Sequence, residues 1–251
     1  MSDIDTQIAQ GRTKTKAQDI PRDPGLRNFM LGIYQKMALG LLVTGAMAWA
    51  VAHSQTMISL MYVQTARGIE MTGVGWVFAF APVVLSFFSG TVMRGFNVAA
   101  MALFYWVFVA IMGVSLSSIF LAYTGSDIAS MFFCTAAAFG ALSLYGYATK
   151  TNMSAWGSFL MVAVIGIIIA GLVNAFLLKS GIIDLGISIV CVLVFSALIA
   201  YRTQWLKNVY YQLEGSYTGR AAMTYYGALN LYISFINLFL SLLRIFGGGR
   251  R

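Results

Sequence analysis

Long apolar runs alternate with short polar stretches from residue 37 to the end of the chain. There are seven, roughly Met37–Ala52, Val74–Ser89, Val98–Tyr123, Ala129–Ala148, Ala155–Leu178, Ile182–Tyr201 and Ala222–Phe246. About 20 mostly apolar residues in a helix cross ~30 Å of hydrocarbon. Only helices and closed barrels satisfy their backbone groups there. The pattern predicts an all-α membrane protein, a bundle of seven transmembrane helices. Connections such as Thr91–Asn97 and Gly125–Asp127 are too short to hold further domains, so residues 27–251 read as one membrane domain. Residues 1–26 set Arg12, Lys14, Lys16 and Arg22 against Asp3, Asp5, Asp19 and Asp23 with no apolar face. They read as a disordered polar tail. No short apolar stretch precedes a small-residue cleavage site, so the first run is expected to remain as a span.

Composition strengthens this picture. The chain is 59% hydrophobic and 10% charged, with a mean hydropathy of +0.79. A soluble domain carries about 25% charged residues, so a water-facing globule is excluded. The net charge is +8, which in a soluble chain would suggest nucleic acid. In a membrane chain it reflects Lys and Arg gathered on the cytoplasmic side. The expected partner is the lipid bilayer, and no nucleic acid is expected. With the N-terminus cytoplasmic, eleven of the 16 basic residues fall inside, including Arg94, Lys150, Arg202, Lys207 and Arg220. Arg67, Lys179, Arg244, Arg250 and Arg251 fall outside. The last three leave two topologies open: a C-terminus outside, or a re-entrant segment that brings both ends inside.

The chemistry available is sparse. All eight acids, Asp3, Asp5, Asp19, Asp23, Glu70, Asp127, Asp184 and Glu214, lie in the tail or in connections. A carboxylate at mid-membrane depth is the usual device of proton relays and cation sites. One histidine (His53) and two cysteines (Cys134 and Cys191, both inside apolar runs) cannot supply three or four metal ligands. Gly113-Val114-Ser115 weakly resembles a nucleophile motif, but a serine needs a base within reach and His53 is the sole candidate. Non-enzymatic function, without cofactor or metal, is the expectation.

The clearest positive signal is a polar stripe. Asn230, Ser234, Asn237, Ser241 and Arg244 follow one another at steps of four, three, four and three. That spacing places them on one face of the last helix. Asparagines facing lipid are expensive, so the stripe must face protein or water. It either lines a permeation path or makes interhelical hydrogen bonds. The sixth run ends Tyr201-Arg202-Thr203-Gln204. Arg202 either anchors the helix at the cytoplasmic surface or sets the electrostatics of a vestibule there, with Ser188, Cys191 and Phe195 preceding it on about the same face. Small residues four apart, Gly113 with Ser117, Ala136 with Gly140, and Gly166 with Ala170 and Asn174, are expected at close helix contacts.

These residues carry a family resemblance. The run Leu231-Tyr232-Ile233-Ser234-Phe235-Ile236-Asn237-Leu238-Phe239, closing with Leu242-Leu243-Arg244-Ile245-Phe246-Gly247, resembles the C-terminal signature of the Bax inhibitor-1 (YccA-like) membrane family. Tyr201-x-Thr203-Gln204 and Gly25-Leu26-Arg27-Asn28-Phe29-Met30 fit as well, so the similarity spans about residues 25–247. The resemblance implies a seven-helix bundle with its last helix central. It implies two activities: a pH-regulated leak of calcium or other cations, and modulation of stress or membrane-proteolysis systems through a membrane protease or another membrane protein. The short, plain tail suggests the bacterial branch, in the inner membrane. The pH-sensing carboxylates of leak-competent relatives, carried over residue by residue, fall on Arg202 and Ser234. Neither is acidic, so the acid-sensing mechanism the family implies has lost both its groups here.

Overall fold

Asp23 opens the first helix. Its carboxylate accepts from Gly25 N (2.8 Å) and Leu26 N (3.3 Å), and Pro24 fixes the first-turn geometry. The computed structural model describes residues 23–65, 68–95 and 97–248. Of the tail read as disordered over residues 1–26, residues 1–22 fall outside the described residues, as does the outward placement of Arg67, Arg250 and Arg251, whereas Asp23–Leu26 cap and open α1. Capped in this way, α1 (Pro24–His53) starts well ahead of its apolar run, because cap chemistry rather than hydropathy decides where a helix begins.

A short helix, α2 (Gln55–Met61), and an antiparallel hairpin of β1 (Tyr62–Thr65) and β2 (Gly68–Met71) occupy the first connection. The apolar pattern assigns no element there. The chain then forms α3 (Gly73–Met93), α4 (Val98–Leu116), the turn-length α5 (Ile119–Ala122) and α6 (Gly125–Ala148). It continues through α7 (Trp156–Val173), α8 (Gly181–Gln212) and α9 (Tyr217–Phe246). A π-helical turn, Asn174–Leu178, ends α7. Buried Asn174 tethers it to the next helix by donating to Ser180 O and accepting from Ser180 N, both at 3.1 Å. Among the described residues, seven helices are long and apolar enough to cross a membrane, as the runs predicted.

The helix ends sort onto two faces. At the face where α1 begins, the Phe29 ring lies 5.4 Å from that of Tyr210, near the end of α8. Arg220, in the first turns of α9, stands 4.1 Å from the same Tyr210 ring. At the opposite face Arg244, in the last turn of α9, meets Asp184, in the first turn of α8. The last helix thus runs unbroken from one face to the other. Of the two topologies left open by the charges, the structure has seven full spans with its first and last helical residues on opposite faces.

α9 is the centre of the bundle. It packs against α8, α1, α4 and α6, and 67% of its apolar window is buried, against at most 33% for any other span. Small residues make this possible: Gly227 receives Leu206 of α8 and Ile33 of α1, and Ala222 and Ala228 are fully buried. α7 lies at the edge, packed chiefly on α8. The expected small-residue contacts hold in part. Gly113 meets α1, where a Cβ would fall 2.8 Å from Thr44 O, and Ser117 is buried. Gly140 and Gly166 instead face open space, and Gly166 is exposed on the outer side of α7. Spacing alone does not distinguish a contact face from a lipid face.

Candidate functional site

The polar stripe lies inside the bundle. Ser234 and Ser241 are buried, Asn230 and Asn237 are half-buried, and Arg244 is exposed at the end of the helix. Each of the first four turns a donor back onto its own helix. Asn230 Nδ2 donates to Tyr226 O (2.9 Å) and Ser234 Oγ to Asn230 O (3.0 Å). Asn237 Nδ2 donates to Ile233 O (2.8 Å) and Ser241 Oγ to Asn237 O (2.7 Å). These i−4 bonds remove much of the penalty of polar groups in an apolar bundle.

Across from the stripe, α8 presents Ser188, Cys191 and Phe195, all buried. Two turns further on, Arg202 crosses to α9, its Nη1 donating to Asn230 Oδ1. Arg202 Nε is shielded from solvent and has no hydrogen-bond partner among the described residues. At the other end the stripe closes with Arg244 Nη1 3.7 Å from Asp184 Oδ1, both half-exposed. The seam between α8 and α9 therefore runs from Arg202–Asn230 to Asp184–Arg244, fourteen residues along α9, or about 21 Å at 1.5 Å per residue. The acids among the described residues, Asp23, Glu70, Asp127, Asp184 and Glu214, sit at helix ends or in connections. A fixed positive charge stands at one end of the seam, and no carboxylate lies between its two ends.

The three residues of the candidate vestibule part company. Arg202 alone reaches the stripe. Tyr201 covers α7, its ring and hydroxyl lying where a Cβ at Gly157 would go. Gln204 clamps the α6–α7 connection: its Oε1 accepts from Met153 N and its Nε2 donates to Thr151 O, both at 2.8 Å. A family-like motif of four residues thus serves three contacts. His53 stands exposed at the end of α1, its Nδ1 2.8 Å from Trp49 O and its ring tilted by 31° against the Trp49 ring, 4.5 Å between centroids.

Sequence reasoning missed a second polar contact. Thr44 Oγ1 of α1 donates to Val109 O of α4 (3.0 Å) and stands 2.6 Å from Tyr232 Oη of α9. Nearby, Tyr105 Oη donates to Lys36 O (2.7 Å). This buried knot ties the central helix to α1 and α4. The signal was present: Thr44 is a lone hydroxyl in an apolar run, and such a group needs a partner in hydrocarbon.

The bundle and its seam define a multi-pass membrane protein whose central helix carries a polar line through the membrane. A family profile described as "Inhibitor of apoptosis-promoting Bax1" matches residues 26–251, and the chain belongs to the Bax inhibitor-1 family. It is 46% identical to an uncharacterised protein of Caulobacter vibrioides over 251 residues, the whole of both chains. It is 40% identical to an uncharacterised protein of Rickettsia prowazekii, over 91% of this chain and 92% of that one. To the inner membrane protein YbhL of Escherichia coli it is 39% identical, over 90% of this chain and 94% of the relative.

Proposed function

We propose that this chain is a bacterial inner-membrane member of the family whose central seam is closed to calcium. It acts, without enzymatic chemistry, as a regulator in contact with other membrane proteins, such as a membrane protease in stress or proteostasis control. The inner-membrane location is carried by the likeness to YbhL, and the cytoplasmic N-terminus by the distribution of Lys and Arg. One observation carries the closed seam: the Arg202 guanidinium is lodged on Asn230 of the central helix. At 4 Å and an effective dielectric of 20, a unit charge pair interacts by about 4 kcal/mol. A guanidinium therefore raises the entry cost of a divalent cation steeply, and no acid inside the seam offsets it. The test is calcium entry into proteoliposomes loaded with a calcium dye. The wild-type rate is expected to equal that of protein-free vesicles between about pH 5 and 8, the range in which shifted carboxylates would titrate. A wild-type rate well above background overturns the reading.

A second reading is a gated cation leak. It is favoured by the continuity of the stripe over about 21 Å and by the unpartnered Arg202 Nε, which leave Arg202 as a plug able to swing aside. In that case Arg202→Ala should raise flux severalfold in the same vesicles. Because the closed seam also rests on Arg202, the wild-type rate, at background or well above it, decides between the two readings.

A further inference from the structure

α1 and α6 flank α9 without packing their backbones together. The Tyr34 ring bridges the gap, edge-on to Phe139 at 6.3 Å. Between the two helices lies a cleft of about 1240 Å³, floored by Phe235 of α9. From Arg27, a turn past Asp23 and Pro24 at its mouth, it reaches Leu42, fifteen residues along α1 or about 22 Å. That is about three quarters of a ~30 Å hydrocarbon core. Leu31, Leu42 and Leu144 line it and are exposed, so the cleft opens sideways toward lipid. A gap of this kind in a bilayer fills with acyl chains.

Its polar end is built differently from its apolar length. Arg27 lines the mouth and is exposed. Tyr147, also at the mouth, receives Lys207, whose Nζ donates to Tyr147 O (3.2 Å) and lies 5.4 Å from the ring centroid. Asp23 is the acid at this mouth, and its Oδ1 is occupied in capping α1. Just inside, Ser143 lines the cleft, is 6% exposed, and its Oγ has no hydrogen-bond partner among the described residues. Two cations and an unsatisfied hydroxyl above an apolar channel match an acidic headgroup with its ester oxygens and chains.

We propose that the cleft between α1 and α6 seats one diacyl phospholipid with an anionic headgroup, its phosphate at Arg27 and Lys207 and its chains beside Leu41 and Phe132. The seat uses none of the residues of the Thr44 knot and does not depend on whether the seam conducts.

Native mass spectrometry of the full chain, released from neutral detergent after equilibration with phosphatidylglycerol or phosphatidylcholine, reads the occupancy directly. Wild type should retain one phosphatidylglycerol in clear preference to phosphatidylcholine. Arg27→Gln should lose about fivefold of that preference, the share of one basic residue at an anionic surface, and Arg27→Lys should keep most of it. A Cβ at Gly140 meets no atom within 4 Å, so Gly140→Phe can grow into the cleft without displacing backbone, and it should lose retention of both lipids. The Arg27 pair decides the matter even if the Phe variant folds poorly. Equal retention of the two lipids by wild type, an unchanged preference in Arg27→Gln, or full retention in a folded Gly140→Phe would each overturn the proposal. Preference that appears only after residues 2–20 are deleted would mean that the tail occupies the cleft, and would overturn it too.

Discussion

A guanidinium does not shed its proton in a protein, so Arg202 brings a permanent charge to Asn230, one turn from Ser234 on the central helix. Two acids in these positions would repel one another and move a pKa toward neutrality; an Arg and a Ser cannot. Arg202→Asp combined with Ser234→Asp is therefore expected to create a calcium leak that varies with pH, measured as dye response in proteoliposomes holding equal amounts of folded protein. Each single change should give less, because one acid lacks the like-charged partner. A wild-type leak already as fast as the double variant would make Arg202 an anchor and nothing more. The Thr44 knot makes a separate prediction. Tyr232→Phe and Thr44→Val should each destabilise the bundle by about 0.6–2 kcal/mol, the range for hydrogen bonds between membrane helices, read by unfolding in a detergent titration. Thr44→Val should cost more, since it releases both Val109 O and Tyr232 Oη. The stripe was legible residue by residue because helical period fixes a face. Its bonds were not, since i−4 self-bonding and cross-helix bonding share one spacing.

Helix against helix, the closest approaches are set by glycines that nothing in the apolar pattern singles out. A Cβ at Gly146 of α6 would fall on Ala200 O of α8 and within 2.8 Å of Ala200 Cα. Backbone cannot yield as a flexible side chain can, so Gly146→Ala must part the two helices. The expected cost is about 1–3 kcal/mol, as for overpacking elsewhere. Gly140→Ala, six residues earlier on the same helix, meets nothing within 4 Å and should stay within about 0.5 kcal/mol of wild type. Thermal or detergent unfolding of the two variants side by side checks the pair, and equal losses would sink the packing argument. Gly146 has no small neighbour four residues away in the motifs that spacing suggests, whereas Ala136 with Gly140 does, and those two line the cleft. Which glycine is a contact depends on how α6 is rotated toward α8, and that rotation is a property of the bundle. The ends of α1 and α8 were obscured for a related reason. Hydropathy marks the part of a helix that lipid covers, while Asp23 and the amphipathic turns after Tyr201 extend both helices beyond it.

For the molecule as a whole, the count of spans was readable from apolar length, because a bilayer sets one length for every element that crosses it. The centrality of α9 was implied by family likeness and is explained by its buried polar face, which lipid would reject. Sidedness is a matter of charge. The face where α1 begins carries Arg27, Arg94, Lys150, Lys207 and Arg220 among the described residues, and the opposite face carries Lys179 and Arg244. Arg202 and Lys36 leave this tally, since Arg202 is spent inside the bundle on Asn230 and Lys36 lies within α1 over the Tyr225 ring, yet the imbalance persists. The positive-inside rule then predicts that the α1-start face lies in the cytoplasm and residue 248 outside. Labelling with a membrane-impermeant maleimide can read this directly. Cys134 and Cys191 are first replaced by Ser, and single cysteines are placed at two exposed sites, Asn152→Cys in the α6–α7 connection and Gly248→Cys beyond α9. In intact spheroplasts Gly248→Cys should react at once, whereas Asn152→Cys should react only after the membrane is permeabilised. The reverse pattern would place Arg27 and the mouth of the cleft outside, and labelling of both from one side would contradict seven full spans.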